Sequence, residues 1–195
     1  MDLDGLKPEM QARLSIDEQL RQAGWVIQTW PKVNLGESLG VVVREYPTDS
    51  GPADYLLFVN RQAVGVIEAK KDETILSQVE DQTLRYATSK IKFRKDEAPL
   101  SFLFEATSQV IHFTDLRDPE PRAREIFHFF KPETLQEWVK QDASLRARLK
   151  TNMPALPKAN LRACQISAIT GLEKSLAENR PRSLIHMATG AGKTF

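Results

Sequence analysis

The chain has 195 residues, 27 Lys+Arg against 26 Asp+Glu, a net charge of +1, 41% hydrophobic residues and one cysteine. Nine glycines and eleven prolines exclude collagen-like and low-complexity chains, and the apolar fraction can bury a real core, so one large domain, or one domain and part of another, is expected. Near neutrality excludes a highly basic protein that coats DNA unaided. The lone Cys164 excludes an internal disulfide, and with no charged-then-apolar leader and no membrane-length apolar run the expected location is cytoplasmic.

Pro8 to Ala23 is predicted helical, with Pro8 in the first turn, Gly24 as the stop, and Ala12, Ile16, Leu20 and Ala23 as one apolar stripe. Three strands follow: Gly40–Pro47, rich in β-branched residues; Tyr55–Val59, continuously apolar; and Ala63–Lys70, β-branched and ending in charge. Asn60-Arg61-Gln62 is short enough to join the last two as a hairpin. Glu73 to Ser89 returns to a helical pattern, with Ile75, Val79, Gln82 and Tyr86 on one face, and the basic stretch Lys90–Lys95 follows. Ser101–Ala106 and Gln109–Phe113 read as a second strand pair, and short helices are predicted near Pro121–Phe127 and Glu133–Gln141. Thr151–Asn160 holds two prolines and two asparagines and reads as a linker. Leu161–Asn179 is predicted helical, and Ser183–Met187 is predicted as a buried strand running into a glycine-rich loop. The expected architecture is an α/β domain over residues 1–150, a linker over 151–160, and the opening helix, strand and loop of a second α/β domain over 161–195.

The most informative side chains are Asp54, Glu68 and Lys70. Strand side chains alternate faces, so Glu68 and Lys70 project from one side. If Asn60–Gln62 is a three-residue loop, Val59 pairs with Ala63 and Asp54 falls opposite Glu68. Two carboxylates, supplemented by a carbonyl such as that of Ala69, suit Mg²⁺, which keeps several waters and takes its remaining ligands from phosphate. Lys70 could then orient an attacking water or stabilise developing charge. Taken singly, Asp54 could cap the turn after Gly51-Pro52, and Glu68 could pair with Lys70 or Lys71 at a strand end. A carboxylate in the otherwise apolar strand Gly65-Val66-Ile67-Glu68 is nevertheless costly unless a metal or partner holds it.

Asp54, thirteen intervening residues and Glu68-Ala69-Lys70 resemble the PD-(D/E)xK nuclease motif. Gln82-Thr-Leu-Arg-Tyr86 on the next predicted helix is similar to the Gln-x-x-x-Tyr element of RecB-like nucleases, which implies that Gln82 and Tyr86 line the DNA side of the site. Lys90, Lys92, Arg94 and Lys95 could contact DNA phosphates near the hairpin. Glu18 lies on the first helix, where many nucleases of that fold place a further acid, but Ser15-x-x-Glu18 has the spacing of a capping box, and Glu18 is left out of the site.

Thr189-Gly-Ala-Gly-Lys193-Thr194 is a loop of the kind that cradles phosphates, with Gly190 and Gly192 freeing the backbone, Lys193 reaching the β- and γ-phosphates and Thr194 ligating Mg²⁺. Met187 stands where the usual pattern begins with Gly, and the segment resembles the first motif of superfamily 2 helicases. Leu161-Arg-Ala-Cys-Gln165 is similar to their Q motif, which implies that Gln165 reads adenine. No acidic Walker B segment, arginine finger or second lobe is visible, so this stretch alone is expected not to hydrolyse ATP.

Ala23-Gly-Trp25, Gly40–Glu45, Ala53–Leu57 and Gly65–Lys70 resemble the amino-terminal region of the restriction (R) subunit of type I restriction-modification systems. That resemblance implies a restriction-endonuclease-like fold, a mixed β-sheet flanked by helices, followed by the start of a RecA-like domain. It implies a Mg²⁺-dependent endonuclease cutting double-stranded DNA, a type I site-specific deoxyribonuclease. In the full-length protein the nuclease would be coupled to an ATP-driven translocase and work with methyltransferase and specificity subunits, with no membrane involved. Two alternatives stay open: a helicase-nuclease of DNA repair, and a motor subunit whose first domain only docks partners.

Overall fold

The computed structural model describes residues 8–49, 51–71, 100–141, 143–178, 180 and 182–193. The predicted helix Glu73–Ser89, with Gln82 and Tyr86, lies outside the described residues, as do Lys90, Lys92, Arg94, Lys95 and Thr194. The chain forms two compact units, Met1–Leu116 with Pro121–Asp142 and Arg117–Glu120 with Ala143–Phe195.

Helix α1 (Pro8–Gln22) opens the first unit. Its predicted stripe is buried: Ala12, Ile16, Leu20 and Ala23 are all 8% exposed or less, as the i, i+4 spacing of one helical face requires. Gly24, at φ +89°, lets the helix end in a Schellman turn, with Trp25 N–H donating to Leu20 O at 3.0 Å and Gly24 N–H to Arg21 O at 2.9 Å. Ser15 is therefore a mid-helix residue and not the cap of a capping box; its hydroxyl donates to Ser108 O at 3.1 Å.

Among the described residues, seven strands form one sheet in chain order: β1 (Val26–Thr29), β2 (Gly40–Thr48), β3 (Gly51–Val59), β4 (Gln62–Ala69), β5 (Phe102–Ala106), β6 (Ile111–Asp115) and β7 (Arg124–Ile126). The β1–β2 and β4–β5 pairs are parallel and the other four antiparallel, so the fold is mixed α/β. The segment predicted as a helix near Pro121–Phe127 is instead the edge strand β7, whose Arg124, Glu125 and Ile126 pair with Phe113, His112 and Ile111. Ladder bonds to an existing sheet override the weak helical pattern of so short a segment.

Each face of the sheet carries its own apolar cluster. One joins Ile16 and Leu20 of α1 to Val42, Tyr55, Leu57, Ile67, Phe104 and Phe113, with Leu135 from α2 (Pro132–Val139); the other contains Val41, Val43, Tyr46, Leu56, Phe58, Val66 and Leu103. Strands β3, β4 and β5 are buried on both sides, which explains their nearly continuous hydrophobicity.

The β3–β4 hairpin turns on two residues, Asn60 and Arg61, at φ +48° and +67°, and not on three. Val59 therefore pairs with Gln62, and Phe58 with Ala63. A register shift between Leu57 and Phe58 then sets Leu57 opposite Gly65, Leu56 opposite Val66 and Tyr55 opposite Ile67.

In the second unit, α3 (Leu145–Thr151) is capped by Ser144, whose hydroxyl accepts from Ala147 N–H at 3.2 Å. Residues 152–158 have no regular structure and lead to α4 (Ala163–Ala177). The strand predicted over Ser183–Met187 does not form, and Leu184 and Ile185 are 93% and 47% exposed. A strand needs a ladder partner, and none is available to this segment among the described residues.

Candidate active site

At the end of the hairpin the ladder stops at Tyr55↔Ile67, and the next position along the same register sets Asp54 opposite Glu68. There Asp54 replaces a ladder carbonyl: its Oδ2 accepts from Ala69 N–H at 2.9 Å. Glu68 is 5% exposed, and Lys70 Nζ donates to its Oε1 at 2.8 Å. Lys70 is anchored through its backbone, N–H to Ala106 O at 2.7 Å. The structure thus brings together Asp54, Glu68 and Lys70, with the Ala69 peptide tied to Asp54 through its N–H.

Strands β2 and β3 both turn over at this point. Tyr55 packs in the cluster under α1, whereas Ala53 and Tyr46 pack in the cluster on the opposite face. Strict alternation would keep Ala53 with Tyr55. The reversal falls at Glu45, which adopts φ +51°, uncommon for a residue with a side chain. Glu45 and Asp54 consequently both reach Arg13 of α1, whose Nη1 donates to Glu45 Oε1 and Nη2 to Asp54 Oδ1. One turn further on, Asp17 is buried, held by the Arg44 guanidinium and by the Tyr55 hydroxyl at 3.0 Å. Glu18, by contrast, is on the surface, accepting from Gln22 at 3.1 Å and facing Arg21 at 3.7 Å.

Burial raises both carboxyls above their ordinary range. For Asp54 it outweighs the Ala69 N–H and the Arg13 charge; for Glu68 it outweighs the Lys70 hydrogen bond and is reinforced by Asp54 and Glu105. Glu105 is itself 4% exposed and lies directly beside Glu68 in the parallel β4–β5 register. Among the described residues no group of three or more His, Cys, Asp or Glu side chains forms a metal-ligand set, so the hairpin offers two carboxylates. Hard oxygen donors on a buried, already desolvated site fit a small divalent cation that retains water.

In the second unit, Gly190 and Gly192 take φ +78° and +79°, the left-handed region that the loop's glycines serve. A Cβ on Gly192 would meet Gln165 Nε2 at 2.7 Å. Both ends of the Gln165 amide are engaged: Oε1 accepts from Arg162 N–H at 2.8 Å, and Nε2 donates to Gly192 O at 2.7 Å. Arg162 Nη1 also donates to Gly190 O at 2.6 Å, and Lys193 Nζ folds back to Met187 O at 3.2 Å. The start of α4 and the glycine loop are therefore one hydrogen-bonded assembly.

Residues 36–109, which contain the hairpin, match the family model described as the second domain of the Type I restriction enzyme EcoKI endonuclease subunit. Residues 158–195, which contain Gln165 and the loop, match the family described as Type III restriction enzyme, res subunit. A curated relative, the Type I restriction enzyme EcoKI endonuclease subunit of Escherichia coli (strain K12), is 24% identical over an alignment covering 95% of this chain. The chain is thus similar, in two separate stretches, to restriction-enzyme subunits. It spans 20% of the length of that curated R subunit. A solved fragment described as an HsdR subunit of a type I restriction enzyme from Vibrio vulnificus YJ016 is 23% identical, with a TM-score of 0.49, covering 97% of this chain and 36% of that one.

Three residues near the hairpin are not picked out by the sequence: Arg13, Glu45 and Glu105. Glu105 carries the same signal as Glu68, a carboxylate inside an apolar strand, Phe102-Leu-Phe-Glu-Ala106. Arg13 and Glu45 have no such signal, since charged residues on a helix and near a strand end are ordinary.

The raised Glu68 carboxyl has a stability consequence. A folded-state pKa above the unfolded value favours the folded protein at low pH, and that contribution is lost as pH rises through the raised value. Glu68→Gln removes the charge without changing shape. In metal-free buffer it is expected to melt above the wild type at neutral pH, with the difference closing below the ordinary carboxylate range. Scanning calorimetry across that range checks this, and a variant that melts lower at neutral pH contradicts it.

Proposed function

We propose that the first unit is a PD-(D/E)xK endonuclease domain that cuts double-stranded DNA with Mg²⁺. We infer further that the second unit opens a superfamily 2 motor which, in the full-length subunit, couples ATP hydrolysis to DNA translocation. The observation that carries the proposal is the convergence of Asp54, Glu68 and Lys70 at one end of the β3–β4 hairpin, with Lys70 Nζ 2.8 Å from Glu68. Methyltransferase and specificity subunits are the proposed partners, and the near-neutral charge of the whole chain, +1, fits a segment to which DNA is delivered by a larger assembly.

Asp54 and Glu68 would hold the cation through their carboxylate oxygens. When bound, the cation supplies Lewis acidity toward water and phosphate oxygens. Asp54 is kept in orientation by the Ala69 N–H, so its carboxylate plane is fixed before any ligand arrives. Lys70, tethered by its backbone to β5, is placed to donate to a phosphate oxygen or to the attacking water. In the second unit Lys193 and the loop N–H groups would take the nucleotide phosphates, and Gln165 would hold Gly192 in place in addition to facing the base.

Calorimetric titration of the chain with Mn²⁺ tests the metal site. Saturable binding is expected, and the double variant Asp54→Asn, Glu68→Gln should lose it. A wild-type chain that gives neither heat of binding nor a shift in melting temperature with Mn²⁺ or Mg²⁺ refutes the nuclease proposal and leaves a domain that only docks partners.

A further inference from the structure

Each carboxylate of the proposed metal site is covered by a cation belonging to the chain itself: Lys70 on Glu68 and Arg13 on Asp54. We propose that Arg13 is a displaceable counterion, which neutralises Asp54 while the divalent cation is absent and passes to Glu45 when the cation binds. The proposal rests on the metal-site function put forward above.

Three features support displacement over a permanent brace. Asp54 is largely buried, its side chain being 14% exposed, and the Arg13 guanidinium is seated directly on the carboxylate oxygen that a cation would take. Glu45 is half exposed and held at φ +51°, a conformation uncommon for a residue with a side chain, in a position where its charge opposes that of Asp54. Arg13 relieves that repulsion by bridging the two, and Glu45 is the only other carboxylate it touches among the described residues. Finally, Arg13 Nε is buried with no hydrogen-bond partner among the described residues. A fork held by two terminal nitrogens, with its third donor unsatisfied, is not arranged as a lasting structural bond. Binding of a divalent ion would then free Lys70 from Glu68 and shift Arg13 toward Glu45, leaving two positive groups at the rim of the site.

The test uses the whole chain with Mn²⁺ as the probe, read by calorimetric titration and by melting with and without the ion. Arg13→Gln should lower the melting temperature of the metal-free protein, since Asp54 loses its counterion. It should also tighten Mn²⁺ binding about tenfold, because a neighbouring positive charge is gone. Glu45→Gln should weaken Mn²⁺ binding, because Arg13 loses its alternative partner. Equal or weaker Mn²⁺ binding by Arg13→Gln overturns the proposal, making Arg13 an orienting residue. If Arg13→Gln does not fold, Glu45→Gln decides alone, and unchanged affinity overturns the proposal. A wild-type chain that binds no Mn²⁺ removes both the metal site and the proposal, whereas wild-type binding with unchanged variants removes the proposal only.

Discussion

If the hairpin is the proposed nuclease site, Asp54→Ala, Glu68→Ala and Lys70→Ala, each introduced into the full-length protein with its proposed partners, are expected to lower DNA cleavage by at least about a thousandfold. A lost ligand or charge donor at a phosphate-cleaving centre removes on the order of 4 kcal/mol of transition-state stabilisation. The proposed ATP hydrolysis and translocation should continue, because the glycine loop lies in the other compact unit of this chain. The informative readout is the separation of the two activities. Gel analysis of circular duplex substrate and an ATPase assay on the same preparations give it directly. Variants that still cut at wild-type rate would remove the hairpin from the chemistry, and variants that lose both activities would point to a folding defect. The buried position of Glu68 makes the Gln substitution a useful companion, since it keeps the shape of the side chain while removing the charge.

A large effect on stability is expected from Gly65→Ala. A Cβ at this position would stand 2.6 Å from the Phe102 carbonyl oxygen and 3.0 Å from Phe102 Cβ. The obstacle is backbone on the neighbouring parallel strand and cannot swing away as a side chain would. Relief requires β4 and β5 to separate, which would disturb the Gly65↔Phe102 to Ala69↔Ala106 register and loosen the packing of Phe102 against Phe113 and Trp138. The cost should be on the order of 3 kcal/mol, a fall in melting temperature of roughly 10 °C for a unit of this size. Thermal melting of the variant tests this, and a change of less than about 2 °C would mean the strands yield more easily than close-packed interiors allow.

Much of the first unit is legible in sequence because its signals are strong and local. Proline and glycine bracket α1, and the stripe from Ala12 to Ala23 is buried as its spacing requires. Val41 to Val43, Leu56 to Val59 and Val64 to Ile67 announce strands by their composition. The pairing of Asp54 with Glu68 was also within reach, but through a loop length that the structure corrects. Harder to read were elements that depend on distant partners. Strand β7 exists because β6 offers it an edge, and the Arg13 contact depends on a face reversal at Glu45 that no residue pattern announces. Ser183–Met187 has a strand's composition, but a strand is a property of pairs, and none of the described residues pairs with it.

The register shift in the hairpin bears on how the spacing between the two acids should be understood. Thirteen residues separate Asp54 from Glu68. A three-residue turn with regular pairing would bring these positions face to face, and so does the two-residue turn at Asn60-Arg61 combined with one extra residue in β4. The count is therefore a sum, and the hairpin can divide it between its tip and its arm without moving the chemistry. A single-residue deletion at the tip or at the bulge alone should turn Glu68 to the other side of the sheet. A deletion at one balanced by an insertion at the other should leave the acids facing one another. What the chain must preserve is the parity of the hairpin, and its turn is free to differ so long as the strand beside it compensates.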